Sequence, residues 1–176
     1  MTTDDRGKTR AHELARQVRD AARLLERDGR LGLCRGFIQH GDVSVYAHVT
    51  SVALQSCRIA DTLARHGVRV DRSSLVRGAL LHDYFLYDWH VPDPSHRLHG
   101  FTHPYTALRN AEQDFALTSR ERNIIVHHMF PLTPFPPTCR EAWIVCLADK
   151  VCALRETLAP QVPARLLPRW LRGAGA

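Results

Sequence analysis

The stretch Gly78-Ala79-Leu80-Leu81-His82-Asp83-Tyr84-Phe85 places an imidazole and a carboxylate directly after a run of apolar residues. Such a run is typical of a buried helix, where a carboxylate costs several kcal/mol unless it is paired or binds a metal. The same conflict recurs at Asp149, which lies inside the apolar segment 143–154, and at His48, beside the apolar stripe of an earlier helix. These positions mark where the chemistry of the chain should be sought.

The patterns around this stretch predict an all-α protein. Apolar residues recur at three- and four-residue steps, and no β alternation is longer than four residues. Two capping boxes, Thr118 with Glu121 and Thr138 with Glu141, predict helix starts. The predicted helices span 9–28, 43–66, a segment from 71 or 73 to 81, 118–128 and 138–158, and residues 87–100 are predicted to form a polar loop.

Composition excludes several classes of protein. The chain has 176 residues, 44% hydrophobic and 24% charged, which indicates a single globular domain. No apolar run reaches the ~18–20 residues that span a bilayer, and the acidic N-terminus does not resemble a signal peptide, so we expect a cytoplasmic protein. The five cysteines are odd in number and lack a C-x-x-C spacing, which favours buried thiols in a reducing compartment.

The net charge of +6 does not by itself indicate a nucleic-acid partner. Of the 24 cationic residues 22 are arginine, and only Lys8 and Lys150 are lysine. A GC-rich coding sequence accounts for so uneven a ratio, so we do not expect binding to nucleic acid. The 11 histidines are the more informative feature.

Four residues of the apolar helices form a candidate metal site: His48, His82, Asp83 and Asp149. Each residue alone has an ordinary structural explanation, a satisfied core histidine or a buried ion pair. The nearby cations are Lys150 and Arg155, and Lys150 is rotated by about 100° from Asp149 on a helix. A metal is therefore the favoured partner of the set, and two nitrogens with two carboxylates suit Zn²⁺, Mn²⁺ or Fe²⁺ about equally.

The ordered pattern His48 … His82-Asp83 … Asp149 resembles the HD superfamily of metal-dependent phosphohydrolases. With His103 and the pair His127-His128 added, it is similar to the two-metal members, such as the HD-GYP-type phosphodiesterases. The resemblance covers residues 36–156 and implies an all-helical bundle with the metal at its centre. The chain is predicted to divide into an N-terminal helix packed on the core (1–34), an HD domain (35–159) and a C-terminal tail (160–176), which we expect to be dispensable because its prolines and glycines favour neither helix nor core.

The resemblance implies roles for individual residues. His48, His82, Asp83 and Asp149 would hold a first metal, and Asp83 would bridge to a second metal held by His103, His127 and His128. One or two divalent ions of Fe, Mn or Zn are therefore expected per chain. The chain departs from the HD-GYP pattern, because it lacks the Gly-Tyr-Pro signature and has Tyr84-Phe85-Leu86-Tyr87-Asp88 where a lysine is usual. A cyclic-di-GMP substrate does not follow.

The expected activity is hydrolysis of a phosphate monoester or phosphodiester, with a nucleotide as the expected small-molecule substrate. Asp83 and Lys150 are the candidate catalytic residues, and Lys150 is also a candidate phosphate ligand. The candidates for substrate contact, each of which could instead be an ordinary surface residue, are Arg109, His40 and His99. Gly100 and Pro104 predict that His99 and His103 do not share one helix face.

The alternative function is a di-iron oxygenase that acts on a small organic substrate, because some HD-domain proteins use most of the same ligands for O₂ chemistry. The second histidine of the pair His127-His128 favours hydrolysis, since a fully ligated second metal leaves less room for O₂ and a chelating substrate. The substrate, the metal and the oligomeric state stay open at this point.

Overall fold

The computed structural model describes residues 3–94 and 97–158. Within these ranges the chain forms six α-helices, a short 3₁₀ helix at Leu31–Gly36 and a two-stranded sheet. The helices are α1 (Thr3–Asp28), α2 (Val45–Arg65), α3 (Arg72–Leu81), α4 (His99–Asp114), α5 (Ser119–His127) and α6 (Arg140–Leu158), and the strands are β1 (Ile38–His40) and β2 (Val43–Ser44). The all-α prediction is confirmed.

Four helices make the centre of the bundle: α2 packs on α3 and α6, and both of these pack on α5. Each helix turns its apolar face inward, so that residues such as Val52, Leu80 and Val145 are fully buried. Gly78 allows α3 and α5 to approach closely, because a Cβ at this position would lie 2.4 Å from Cδ1 of Ile124. Substituting Gly78 would therefore push apart the helix that carries His82 and its neighbour.

Side-chain caps begin the central helices. Ser44 caps α2 and Asp71 caps α3, and the capping box of Thr118 with Glu121 opens α5 as predicted. The second predicted capping box is wrong. Helix α6 begins at Arg140, and the buried carboxylate of Glu141 accepts a hydrogen bond of 2.7 Å from the backbone N–H of Asp71. The carboxylate of Glu141 therefore binds the residue that caps α3, whereas the local sequence pattern predicted that it would cap its own helix.

Helix α4 begins within the segment predicted to be a loop. It starts at His99 and includes Pro104, which removes one backbone hydrogen bond near the N-terminal end. The prediction that His99 and His103 lie on different faces is wrong. The two rings are stacked with centroids 4.6 Å apart, and Nδ1 of His103 lies 2.7 Å from the carbonyl oxygen of His99. The helix tolerates its proline, and residues four apart therefore share a face.

The antiparallel pair β1–β2 leads into α2 and turns at Gly41, whose φ of +55° is a left-handed conformation that glycine adopts at little cost. This hairpin places Gln39 and His40 beside the centre of the bundle. Helix α1 packs its apolar face, including Val18 and Leu25, against α2 and α3.

The division of the chain into helix, domain and tail stays a prediction. Residues 160–176, predicted to be a dispensable tail, lie outside the described residues. In the part of the chain that is described, no helix has the length and hydrophobicity needed to cross a bilayer.

Candidate metal centre

Six polar side chains from five helices or their ends converge in the middle of the bundle, and none is more than 8% exposed. They are His48 of α2, His82 and Asp83 at the end of α3, His103 of α4, His128 just after α5 and Asp149 of α6. All six were predicted metal ligands. The structure brings them together in two sets that share Asp83.

Three of the rings have their tautomer set by the backbone. Nδ1 lies close to a carbonyl oxygen three or four residues earlier in His82 (Ala79, 2.7 Å), His103 (His99, 2.7 Å) and His128 (Ile125, 2.8 Å). A carbonyl oxygen can only accept, so each Nδ1 carries the proton that it donates. In the neutral ring Nε2 then presents a lone pair to the interior, which is the form of histidine that binds a metal.

One set of atoms that could bind a metal, called here the first donor set, lies around Oδ1 of Asp149 and Oδ2 of Asp83. Nε2 of His48 lies 3.1 Å from Oδ1 of Asp149 and 3.8 Å from Oδ2 of Asp83. Nε2 of His82 lies 3.4 Å from Oδ2 of Asp83 and 3.8 Å from Oδ1 of Asp149. Ligands at about 2.1 Å from one metal stand about 3.0 to 3.4 Å apart in octahedral or tetrahedral geometry, so this set is close to the spacing of a coordination shell.

The second donor set lies around the other oxygen of Asp83. Oδ1 lies 3.2 Å from Nε2 of His103 and 3.4 Å from Nε2 of His128, and these two nitrogens are 2.9 Å apart. Both nitrogens carry lone pairs when the rings are neutral, so they repel each other unless a cation lies between them. The carboxylate of Asp83 therefore presents one oxygen to each set of imidazoles.

Two of these atoms have no hydrogen-bond partner in the described structure: Nε2 of His82 and Oδ1 of Asp83. An unpartnered buried acceptor costs about 1–3 kcal/mol. A divalent cation would satisfy both atoms, because nitrogen lone pairs and carboxylate oxygens are the donors that Zn²⁺, Mn²⁺ and Fe²⁺ take. The residues present thus fit a metal.

The electrostatics of the cluster also favour a bound cation. Burial opposes ionisation of Asp83, but the imidazoles of His82, His103 and His128 outweigh burial and hold its pKa well below the ordinary value. Burial alone would lower the pKa of His48, yet hydrogen bonds to Asp149 and Glu156 raise it to about 10. The negative field that retains a proton on His48 is also the field that favours a divalent cation.

Other groups of the cluster are shifted for related reasons. Burial, the largest effect on His128, lowers its pKa, which keeps the ring neutral and its Nε2 available. Burial raises the pKa of Asp149, but the hydrogen bond with His48 and the nearby charges outweigh it and bring the pKa to about 2. The carboxylates of the cluster are therefore ionised at neutral pH.

Sequence analysis missed two residues that hold the ligands. Oε2 of Glu156 accepts a hydrogen bond from Nδ1 of His48 at 2.8 Å, which orients the ring toward the cluster. Gln39 donates from Nε2 to Oδ2 of Asp83 at 2.8 Å. Glu156 was detectable, because it lies seven residues after Asp149 on the same helix and hence on the same face. Gln39 had no such signal, since the hairpin brings it to Asp83 only in the folded chain.

The structure does not bring His127 into the cluster, contrary to its predicted role as a ligand of the second metal. Its Nδ1 lies 3.2 Å from the carbonyl oxygen of Phe135, and the side chain is partly exposed. Neighbouring residues on a helix diverge by about 100°, so once His128 faces the interior His127 faces the loop beyond α5. Only one member of the histidine pair reaches the metal centre.

The structure also places Arg109 away from the site, contrary to its predicted role as a substrate contact. It is exposed on α4 and lies six residues after His103, a rotation of about 600°, which places it on another side of that helix. Its nearest hydrogen-bond partner is the hydroxyl of Thr106, at 3.5 Å. Arg109 does not line the cavity at the metal centre.

A cavity of about 1280 Å³ opens onto the metal centre and includes Asp83, His103, His128 and Asp149 in its wall. The predicted contact residues Lys150, His40 and His99 line it as well. Nζ of Lys150 lies 2.9 Å from the carbonyl oxygen of His128 and 3.9 Å from Oδ2 of Asp149, so a positive charge stands beside both donor sets. The pKa of His40 is lowered, mainly by burial, which favours a neutral ring.

The HD domain family model matches residues 45–154, which hold all six clustered ligands. A search of curated proteins and a search of solved structures each returned no significant match. The family match and the geometry therefore identify the same part of the chain.

Proposed function

Because the chain belongs to the HD domain family, we propose that it is a metal-dependent phosphohydrolase that cleaves a phosphate monoester or phosphodiester. The observation that carries this proposal is the placement of Asp83. Its two oxygens face two separate groups of imidazole nitrogens, with contacts of 3.2 to 3.8 Å, as a carboxylate that bridges two cations does. Two adjacent cations are suited to phosphoryl transfer.

The donor sets assign the residues that would hold the ions. His48, His82, Asp83 and Asp149 would hold the first, and Asp83, His103 and His128 the second. When bound, such cations supply Lewis acidity, which activates water as a nucleophile and neutralises charge on a phosphoryl group. The donor types fit Fe²⁺, Mn²⁺ and Zn²⁺ alike.

Other side chains would act on the substrate directly. The ammonium group of Lys150 stands in the cavity wall next to the metal centre, where it can bind a phosphoryl oxygen and oppose the charge that develops there. His40 lies against His48, with ring centroids 5.7 Å apart, and offers a neutral imidazole to the same region. The nucleotide substrate expected from the sequence stays a prediction.

The test is turnover combined with elemental analysis. Protein purified without chelators is assayed under anaerobic conditions against p-nitrophenyl phosphate and bis-p-nitrophenyl phosphate, and its metal content is measured. We expect hydrolysis of at least one ester, lost on chelation and restored by one of the three metals. Lys150→Ala should reduce turnover and retain metal, because this lysine is not a ligand. Metal-loaded protein that hydrolyses neither ester would contradict the proposal.

A second candidate function is the di-iron oxygenase, and one observation favours it. His127 faces Phe135, so the second donor set has three protein donors and not the four expected from the sequence. A second metal held by three protein donors would leave room for O₂ and a chelating substrate. Iron-loaded protein that consumes O₂ with a small organic substrate, and that hydrolyses no phosphate ester, would establish the oxygenase.

A further inference from the structure

Large apolar side chains gather around the mouth of the cavity that opens onto the metal centre. Leu98, Phe101 and Leu132 line this cavity, yet they are 64%, 50% and 47% exposed. They come from two separate segments, one at the start of α4 and one between α5 and α6. Met129, which follows His128, and Trp89, whose ring stacks on His99, also line the cavity.

Exposed apolar side chains scattered singly need no explanation, but these three share one concave surface. Apolar groups grouped around a concave site are typical of a ligand-binding pocket. Since the wall is continuous with the donor sets, a molecule whose phosphate reaches the metal centre would place its organic group against Leu98, Phe101 and Leu132.

The cavity wall contains polar as well as apolar residues, and the polar ones include His90 and His99. Gln39, His40 and Lys150 lie beside the metal ligands, while Asp93 and Arg97 belong to the exposed loop before α4. A nucleoside carries ribose hydroxyls and base edges that need partners along its length, and a site that selects them supplies buried donors and acceptors. The part of the wall that Leu98, Phe101 and Leu132 form instead offers hydrocarbon.

We propose that the substrate is a phosphate ester of an apolar alcohol, alkyl or aryl, and that Leu98, Phe101 and Leu132 select its organic group. This inference rests on the proposed hydrolase function. In the reaction a water adds to phosphorus, the P–O bond to the alcohol breaks, and a proton passes to the departing alkoxide, so that the products are the alcohol and phosphate. The apolar wall would hold the alcohol portion and leave the phosphate at the metal centre.

The test measures binding separately from turnover. Affinities of metal-loaded protein for n-alkylphosphonates from methyl to hexyl are measured by titration calorimetry. A methylene that is fully buried contributes up to about fourfold in affinity, and the wall is open on one side, so we expect at least about tenfold over the five added methylenes. Phe101→Ser and Leu132→Ser should each flatten this dependence on chain length.

Leu147→Ser is the matched control. Leu147 is 55% exposed on α6 and does not line the cavity, so its substitution should leave the dependence unchanged. The inference would be overturned by an affinity that does not rise with chain length, or by a flattening of this dependence in Leu147→Ser as large as in the cavity variants. Tighter binding of a nucleoside 5′-phosphonate than of hexylphosphonate would also overturn it.

The failures of the two proposals can be told apart with alkyl p-nitrophenyl phosphodiesters of the same chain lengths. Turnover that is independent of chain length supports the hydrolase and overturns the apolar substrate. Phosphonate affinity that rises with chain length, without turnover of any ester, supports an apolar ligand and contradicts hydrolysis.

Discussion

Replacing Glu156 by alanine is expected to weaken metal binding, although this residue lies outside both donor sets. Its carboxylate accepts the Nδ1 proton of His48 at 2.8 Å, and its side chain is only 10% exposed. The hydrogen bond fixes the ring with Nε2 toward the first donor set and makes that nitrogen more basic. Without it the ring can rotate, and its lone pair loses orientation.

The magnitude follows from the burial and charge of this contact. Loss of a partner behind a metal-bound histidine costs 10- to 100-fold in metal affinity, or about 1.4 to 2.7 kcal/mol. Because the contact is short, buried and charged, we expect the upper half of this range for Glu156→Ala. Glu156→Gln retains an acceptor for Nδ1 but removes the charge, so its loss should be nearer to about tenfold.

The assay is competition for metal against a chromogenic chelator, with circular dichroism to confirm folding. Glu112→Ala is the control, because Glu112 is 42% exposed and pairs only with exposed Arg122 among the described residues. An affinity within about twofold of wild type for Glu156→Ala, or an equal loss in Glu112→Ala, would refute the argument that Glu156 supports His48.

Three further changes test other parts of the structure. His127→Ala should retain the full metal content of wild type, because its ring faces the loop after α5, and elemental analysis showing lost metal would return His127 to the site. Gly78→Ala should lower the free energy of unfolding by about 1–3 kcal/mol, since the new Cβ meets the side chain of Ile124; an unchanged denaturation midpoint would contradict this packing. Burial raises the pKa of Asp114, but hydrogen bonds from Arg30 and Tyr84 outweigh burial and lower this pKa below its usual value of 3.8. The contribution of Asp114 to stability is therefore present above about pH 4 and is lost as the pH falls. Asp114→Asn should therefore lower stability by about 1 kcal/mol at pH 7 and by less at pH 3, and an equal loss at both values in denaturant titrations would contradict it.

The helices that hold the site were largely predictable, because periodicity and caps act locally. Helices α2, α3 and α5 lie within one or two residues of their predicted bounds, and the capping box of Thr118 opens α5 as expected. Helix α4 was obscured by Gly100 and Pro104, whose weak propensities are overridden by burial of the face that carries His103. Glu141 shows the same override, since its carboxylate accepts a hydrogen bond from the backbone N–H of Asp71, the residue that caps α3.

The ligands were predictable where burial makes a polar residue costly. His82, Asp83 and Asp149 are marked by the apolar residues around them. The pair His127-His128 carries no mark to distinguish its members, since only the direction in which α5 ends decides which ring faces inward. Gln39 reaches the site through the hairpin, so no spacing along the chain could have revealed it.

The sharing of Asp83 between two donor sets is the central claim, and metal content per chain tests it most directly. Elemental analysis of wild type should give close to two metal atoms per chain. Asp83→Ala should lose nearly all of this metal together with turnover, whereas His103→Ala, which changes only the second donor set, should fall toward one. Asp83→Ala that retains wild-type metal and turnover would contradict the account, and a wild-type value near one that His103→Ala does not change would remove the second metal from it.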